Sequence, residues 1–272
     1  MDLSKVLEVA SASDPGMVRS HNEDSVSADA QSGFVILADG MGGYNAGEVA
    51  SGIATATLGT TLKQTLQSAA LADAANGEPR AVKLLQQHIA DANTSIYQAA
   101  VNQPQYSGMG TTLVVGLFYD NRVSIAHLGD SRLYRLRGEE FKQVTRDHSL
   151  LQEQIDSGMI TEEMAALSQN KNLVTRAMGI DPEVEPEIHT YDTQPGDIYL
   201  LCSDGLSDMV EDEEIHLTLA SLGANLPLAA QQLVQMANDN GGRDNVSVIL
   251  VRVLREFPAQ TGWLSKLFSW LK

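Results

Sequence analysis

Residues 34–43 read FVILADGMGG, and residues 198–205 read IYLLCSDG. Each is an apolar run that stops at Asp-Gly, the pattern of a buried strand ending in a turn. Asp-Gly is a good turn signal by itself. A second reading is that the two strands deliver carboxylates to a common point. Both readings stay open here, because a chain that plants Asp39 or Asp204 at a site must also turn after it. Further runs of this kind set the fold class. TTLVVGLFY, RVSIAHLG, RLYRL and NVSVILVRVL read as strands. Asp120-Asn121 lies between two of them, and Gly138 lies between RLYRLR and EEFKQVT; both read as hairpin turns. Hairpins predict antiparallel sheet, not a doubly wound parallel one.

Helices are predicted at Ala46–Lys63, at Pro79–Ala100 with Val82, Leu85, Ile89 and Ile96 on one face, and at Leu226–Asn238 with Leu228, Leu233, Val234 and Met236. Strands cluster mid-chain and at the end with helices between them, so sheet layers covered by helices are expected. Ser149–Met178 reads as short helices and polar residues, either a flap over a site or a plain surface excursion. After Pro258 comes TGWLSKLFSWLK. On a helix Trp263, Leu264, Leu267, Phe268 and Leu271 would form one stripe, opposite Ser265, Lys266 and Ser269. That stripe suits a membrane interface, a protein partner or the protein's own body, and the sequence leaves the three open.

The chain has 272 residues, 43% of them hydrophobic and 19% charged, which is the composition of a globular protein with a sizeable core. Its 18 basic and 35 acidic residues give a net charge of −17. Such a chain repels nucleic acid, and no basic cluster offsets this. There is one cysteine, Cys202, so no intramolecular disulfide forms, in keeping with a reducing cytosol. Its apolar neighbours make it a structural thiol rather than a nucleophile. The start, MDLSKVLEVASASD, lacks the charged and apolar regions of a signal peptide, and no apolar stretch approaches the roughly 20 residues of a membrane span. The expected location is the cytoplasm, with the C-terminal stripe allowing peripheral membrane attachment.

Apolar runs that end in an acid recur. VILADG ends at Asp39, IAHLGD at Asp130 and LLCSDG at Asp204; NDNGGRDN places Asp244 before the last strand, and RSHNED places Glu23 and Asp24 near the start. Ionised carboxylates gathered in a partly desolvated site are costly unless cations neutralise them. No cysteine pair or His-x-x-x-His accompanies them, so zinc is disfavoured, and oxygen-only ligation suits Mg²⁺ or Mn²⁺. Gly40 and Gly205 would let backbone approach such an ion, and a carbonyl can join its ligands. Two ions sharing a carboxylate and a hydroxide form the two-metal arrangement that hydrolyses phosphate esters. Arg19, four residues before Glu23, offers a guanidinium fork for phosphate oxygens. Ser203, Ser131 and Cys202 carry no motif-linked His–acid pair, which argues against a covalent nucleophile.

The ordered set DPGMVRSHNED, LADGMGGYNAGEVAS, GMGTTLVV, LGDSRLYRL, TRDHS, LVTRAMG, LCSDGLSD and GGRDNVSVILV resembles the bacterial branch of the metal-dependent protein phosphatases, the type 2C serine/threonine phosphatases. The matches run in order from Asp14 to Val251. The resemblance implies an α+β fold, a four-layer α/β/β/α sandwich of two central antiparallel sheets flanked by helices. It implies one phosphatase domain over residues 1–257, with a flap at 149–175 and a tail at 258–272. It implies hydrolysis of phosphoserine and phosphothreonine by a metal-bridging hydroxide at a binuclear Mg²⁺ or Mn²⁺ centre, without a phosphoenzyme. By the same resemblance Asp39 bridges the metals, Gly40 offers its carbonyl, and Asp204 and Asp244 hold the first ion. Glu23 holds water on the second with Asp24 in support, Arg19 binds the phosphate, and Asp130 belongs to a third, weaker ion. Substrates of a Ser/Thr kinase are the implied partners.

Many animal members carry His after the bridging Asp-Gly as a proposed acid for the leaving alkoxide. Here the place is held by Met41, as is usual in the bacterial branch, and a metal-bound water is the expected donor. His21 and His148 read as packing or hydrogen-bonding residues, and the other four histidines as incidental. Two rival readings remain: a non-catalytic module of the same fold that binds phosphoproteins or a kinase, and a hydrolase of small phosphate esters.

Overall fold

The computed structural model describes residues 2–43, 46–68, 80–161, 164–165 and 173–258. Two antiparallel sheets stack between helices. The first has the order β1 (Leu7–Asp14), β11 (Val246–Val253), β10 (Ile198–Cys202), β7 (Arg132–Arg137), β8 (Glu140–Gln143). The second runs β2 (Asp24–Asp29), β3 (Phe34–Met41), β5 (Leu113–Tyr119), β6 (Arg122–Leu128), β9 (Glu187–Asp192), with the short β4 (Gly110–Thr111) also pairing β3. Helices α1 (Ala46–Ser68) and α2 (Arg80–Asn102) accompany the second sheet. Helices α5 (Asp212–Leu222) and α6 (Leu226–Asp239) cover the first. Two short α-helices, α3 (Leu150–Asp156) and α4 (Asp204–Ser207), follow β8 and β10.

The unbroken apolar runs are explained by this layering. Successive side chains on a strand point to opposite faces. On β3, Phe34, Ile36 and Ala38 pack toward the helices, with Leu58, Leu85 and Ile89. Val35 and Leu37 pack between the sheets, with Leu201, Ile249 and Val251. On β10 and β11 the same division holds. Leu200, Cys202, Val248 and Leu250 join Leu219 and Leu233 of the helices, while Tyr199, Leu201, Ile249 and Val251 face the other sheet. A strand buried on both faces has no polar alternation to show.

The predicted turns are present. Asp120 and Asn121 take φ of 46° and 57° between the paired Tyr119 and Arg122, the left-handed pair that a two-residue hairpin requires. Gly138 (φ 59°) turns β7 into β8. The predicted helices run longer, to Ser68, Asn102 and Asp239. Strands β1, β2 and β9 and helix α5 went unpredicted. All three strands sit at sheet edges, where one rim of the backbone is unpaired and the sequence is polar, as in Ser25, Ser27, His189 and Thr190. No described helix is long and apolar enough to cross a membrane. Pro79 and the stripe from Trp263 to Leu271 lie outside the described residues.

Candidate metal centre

The acids meet at one end of the sandwich. Asp39 lies near the C-terminal end of β3, and Asp24, the first residue of β2, is its cross-strand partner. Asp204 opens α4 directly beyond β10, and Asp244 precedes β11; the two strands pair up to Cys202 and Val248 at this end. Asp130 follows β6, and Glu23 precedes β2. Ser203 ties the sheets together here: its hydroxyl donates to Asp24 Oδ2 (2.9 Å) and accepts from the Ser247 N–H (3.0 Å). Arg19 reaches the cluster through an ion pair, Nη2 to Asp244 Oδ2 at 2.7 Å, with half of its side chain still in solvent. All eight sequence-derived positions therefore belong to one region.

Close approach accounts for the glycines after the acids. A Cβ on Gly40 would stand 2.2 Å from the Gly47 carbonyl oxygen and 2.5 Å from that of Glu23. A Cβ on Gly205 would stand 2.0 Å from the Asn245 oxygen. Both contacts are with backbone, which cannot step aside. The glycines let the loop bearing Glu23 and the loop bearing Asp244 close against the strand ends.

Electrostatics mark the cluster as short of positive charge. Burial, then the Asp24, Asp204, Asp130 and Asp244 carboxylates, hold Asp39 well above the usual carboxylate range. Burial, then Asp130, Asp208, Asp244 and Asp24, do the same to Asp204. Burial pushes Asp24 up to about 6 although Ser247, Ser203 and Asp39 offer it hydrogen bonds. Burial and the nearby Asp147 push Asp130 up to about 6. Asp24 Oδ1 is buried with no hydrogen-bond partner. Mutually repelling carboxylates and an orphaned oxygen, with all side-chain donors oxygen, fit hard divalent cations.

Several supporting residues escaped the sequence reading. Asn245, buried, uses its whole amide. Its Oδ1 accepts from the Glu23 N–H (2.8 Å), and its Nδ2 donates to the Pro15 and His21 carbonyls (3.0 Å each). Thr112 Oγ1 accepts from the Asp39 N–H (3.1 Å) and pairs with Ser131 Oγ (2.7 Å), while Thr111 Oγ1 donates to the Asp39 carbonyl (2.8 Å). Asp208 closes the single turn of α4 that Asp204 opens, its N–H on the Asp204 carbonyl (2.8 Å). Arg132 clamps Asp147 through Nε and Nη2 beside Asp130. All lie in the quoted motifs, GMGTTLVV, LGDSRLYRL, LCSDGLSD and GGRDNVSVILV, or next to them, but their role is positional and only folding reveals it.

A second group, His127, His148 and Glu187, brings possible ligand atoms within 4.8 Å of one another. The imidazoles are stacked, centroids 4.5 Å apart and planes 18° apart. Nitrogen lone pairs lie in the ring plane, so two near-parallel rings do not aim at one ion. His127 Nε2 donates to the Arg146 carbonyl (2.8 Å), and His148 Nδ1 accepts from the Gly129 N–H (3.3 Å). Thr175 N donates to the His148 carbonyl and Leu150 N to that of Leu173. The pair is a clasp beside the paired residues 148–150 and 173–175, and His127 is a buried part of it rather than incidental; residues 162–163 and 166–172 of the expected flap lie outside the described residues. His21, by contrast, lines a cleft of about 370 Å³ with Arg19, Glu23 and Asn245. Cys202 is buried, its thiol pushed up to about 12 by burial, as a structural residue.

The profile of the family described as "Protein phosphatase 2C" matches residues 18–250, and the chain belongs to that family. It is 41% identical over 251 residues to the serine/threonine protein phosphatase PstP of Mycobacterium tuberculosis, across 92% of this chain but 45% of PstP. The chain thus spans less than half of that relative's length. It is 38% identical to protein phosphatase PhpP of Streptococcus pneumoniae, across 92% of this chain and 99% of PhpP. Among solved structures, the catalytic domain of PstP in complex with two manganese ions superposes with a TM-score of 0.79 at 40% identity, covering 92% of this chain and 99% of that one.

Proposed function

We propose that the protein is a Mg²⁺- or Mn²⁺-dependent phosphatase of phosphoserine and phosphothreonine in proteins. The observation that carries this is the set of acids gathered at one end of the sandwich, Asp39 and Asp204 raised by burial and then by their neighbours, beside a half-exposed arginine. Asp39 would be common to two ions, the Gly40 carbonyl would join the ligands, Asp204 and Asp244 would hold the first ion, and Glu23, with Asp24 in support, would hold water on the second. Asp130 with Asp204 would hold a third, weaker one. When bound, such ions supply Lewis acidity and lower the pKa of water toward neutrality.

The chain's own residues supply the rest. Arg19, on a loop held against Asp244, presents its guanidinium to phosphate oxygens and orients the ester. Ser203, Thr111, Thr112 and Asn245 fix the acids so that little rearrangement accompanies the reaction. Met41 carries no transferable proton, so Met41 does not protonate the leaving alkoxide. None of the acids implied by the resemblance is replaced, which weighs against a non-catalytic binding module. Its substrates would be phosphoproteins made by a Ser/Thr kinase, in the cytoplasm, by family analogy. Residues 1–257 would form the phosphatase domain, with 258–272 as an appended tail.

The test is Mn²⁺-dependent hydrolysis of a phosphothreonine peptide. Asp39→Asn should cut the rate about a thousandfold, since a metal centre contributes several kcal/mol of transition-state stabilisation. Near-wild-type hydrolysis by this variant would overturn the site. A much faster reaction on free phosphoserine than on the phosphopeptide would favour a small-ester hydrolase instead.

A further inference from the structure

Two large apolar side chains directly before the phosphate-binding candidate are mostly in solvent: Met17 is 71% exposed and Val18 70%. They precede Arg19 directly, and Val18 lines the same 370 Å³ cleft as Arg19, His21 and Glu23. A floppy loop would explain such exposure, but this loop is fastened. Met17 N and Val18 N both donate to the Gly242 carbonyl, at 2.7 and 3.2 Å. Gly16 N donates to Asp14 Oδ1 (2.9 Å), which also accepts from Asn238 Nδ2 (3.0 Å). Gly16 itself takes φ 78°, and a Cβ there would stand 2.2 Å from the Asp244 carbonyl oxygen. The result is a fixed apolar promontory at the mouth of the cleft, on the same stitched pair of loops that carries Arg19 and Asp244.

We propose that Met17 and Val18 recognise an apolar side chain next to the phosphorylated residue of a protein substrate. The inference rests on the phosphatase reading above. Continuity with the cleft identifies the occupant: a peptide whose phosphate lies on Arg19 carries its flanking side chains within one or two residues, about 3.3–7 Å of chain, and Val18 is the neighbour of Arg19 in the same cleft. Charge points the same way. The acids around the cleft disfavour an acidic neighbour, while an apolar one suffers no repulsion.

The experiment compares two phosphothreonine peptides that differ only in Leu or Ser beside the phosphothreonine, with p-nitrophenyl phosphate as a substrate lacking any flank. The Mn²⁺-loaded full chain is used in each case. Wild type should show kcat/KM about tenfold higher for the Leu peptide, the scale of one apolar contact in recognition. In the Met17→Ser/Val18→Ser double variant the ratio should fall to about one, mainly through KM, and kcat/KM on p-nitrophenyl phosphate should fall far less than on the Leu peptide. A wild-type ratio near one, or a double variant that keeps the tenfold ratio or loses all three substrates equally, overturns the inference. If wild type hydrolyses p-nitrophenyl phosphate and neither peptide, the protein-phosphatase reading falls with it.

Discussion

At the scale of residues, the site depends on side chains that never meet the substrate. Asn245 ties two loops together: its side-chain amide holds the β1–β2 loop at three points, the Pro15 and His21 carbonyls and the Glu23 N–H, while its backbone N–H donates to Asp244 Oδ1 (2.9 Å) in its own loop. Asn245→Ala leaves the Glu23 N–H and two carbonyls without those partners. Each buried group so orphaned costs about 1–3 kcal/mol, less where water enters. A loss of about 2–4 kcal/mol in unfolding free energy is expected, measured by urea denaturation of the metal-free protein. Because Glu23 and Arg19 ride on the released loop, the Mn²⁺ concentration for half-maximal activity should rise as well. A variant with unchanged Mn²⁺ dependence would show that the loops hold their place without Asn245. The sequence displayed Asp39, Asp130 and Asp204 openly, since a carboxylate closing an apolar run stands out. It did not display Asn245, because an Asn in a glycine-rich loop looks like any turn residue.

At the scale of elements, legibility follows burial. Strands β3, β5, β10 and β11 are buried on both faces and were evident as apolar runs. The edge strands β1, β2 and β9 were not, since one side faces water and Ser, His and Thr interrupt the pattern. Helix α5, with Glu213 and Glu214 in its first turn, was hidden by its acids, although Ile215 and Leu219 anchor it on the first sheet. The two-faced burial of β3 makes a prediction. Ile36 packs toward α1 and α2, and Leu37 packs between the sheets, both at 0% exposure. Ile36→Ala and Leu37→Ala should each destabilise by about 2–5 kcal/mol. A one-faced strand would lose heavily at one of two adjacent positions only. Urea unfolding of the two variants distinguishes the cases, and a cost under about 0.5 kcal/mol at either position contradicts the four-layer packing around this strand.

At the scale of the whole molecule, the net charge is −17, and part of the acidic excess gathers at one end of the sandwich, where the carboxylates of Asp24, Asp39, Asp130, Asp204 and Asp244 repel one another. Metal-free protein therefore carries a folding penalty that depends on pH. Asp130, 8% exposed, titrates at about 6 in the folded chain against 3.8 for an ordinary Asp. A carboxyl raised in this way favours the folded state fully only below its unfolded pKa. Its contribution fades as pH climbs from about 4 through about 6. Two pKa units correspond to about 3 kcal/mol, an upper figure because nearby acids titrate together. Other groups pull the opposite way. Burial lowers the pKa of His127 and His148, so their contribution is lost as pH falls below the ordinary histidine value. The total pH profile thus mixes both signs, and a single substitution isolates one. Asp130→Asn, which cannot ionise, should stabilise the metal-free protein by about 2 kcal/mol at pH 7.5 and leave it nearly unchanged at pH 4.5. With saturating Mn²⁺ at pH 7.5 the gain should shrink or reverse, because the carboxylate is then neutralised where it stands and the amide is the poorer ligand. Melting temperatures at the two pH values, with chelator and with Mn²⁺, give the four quantities needed. An Asn gain that is equal at both pH values would mean that neither burial nor its neighbours raise Asp130, and the description of this end as cation-deficient would fail with it.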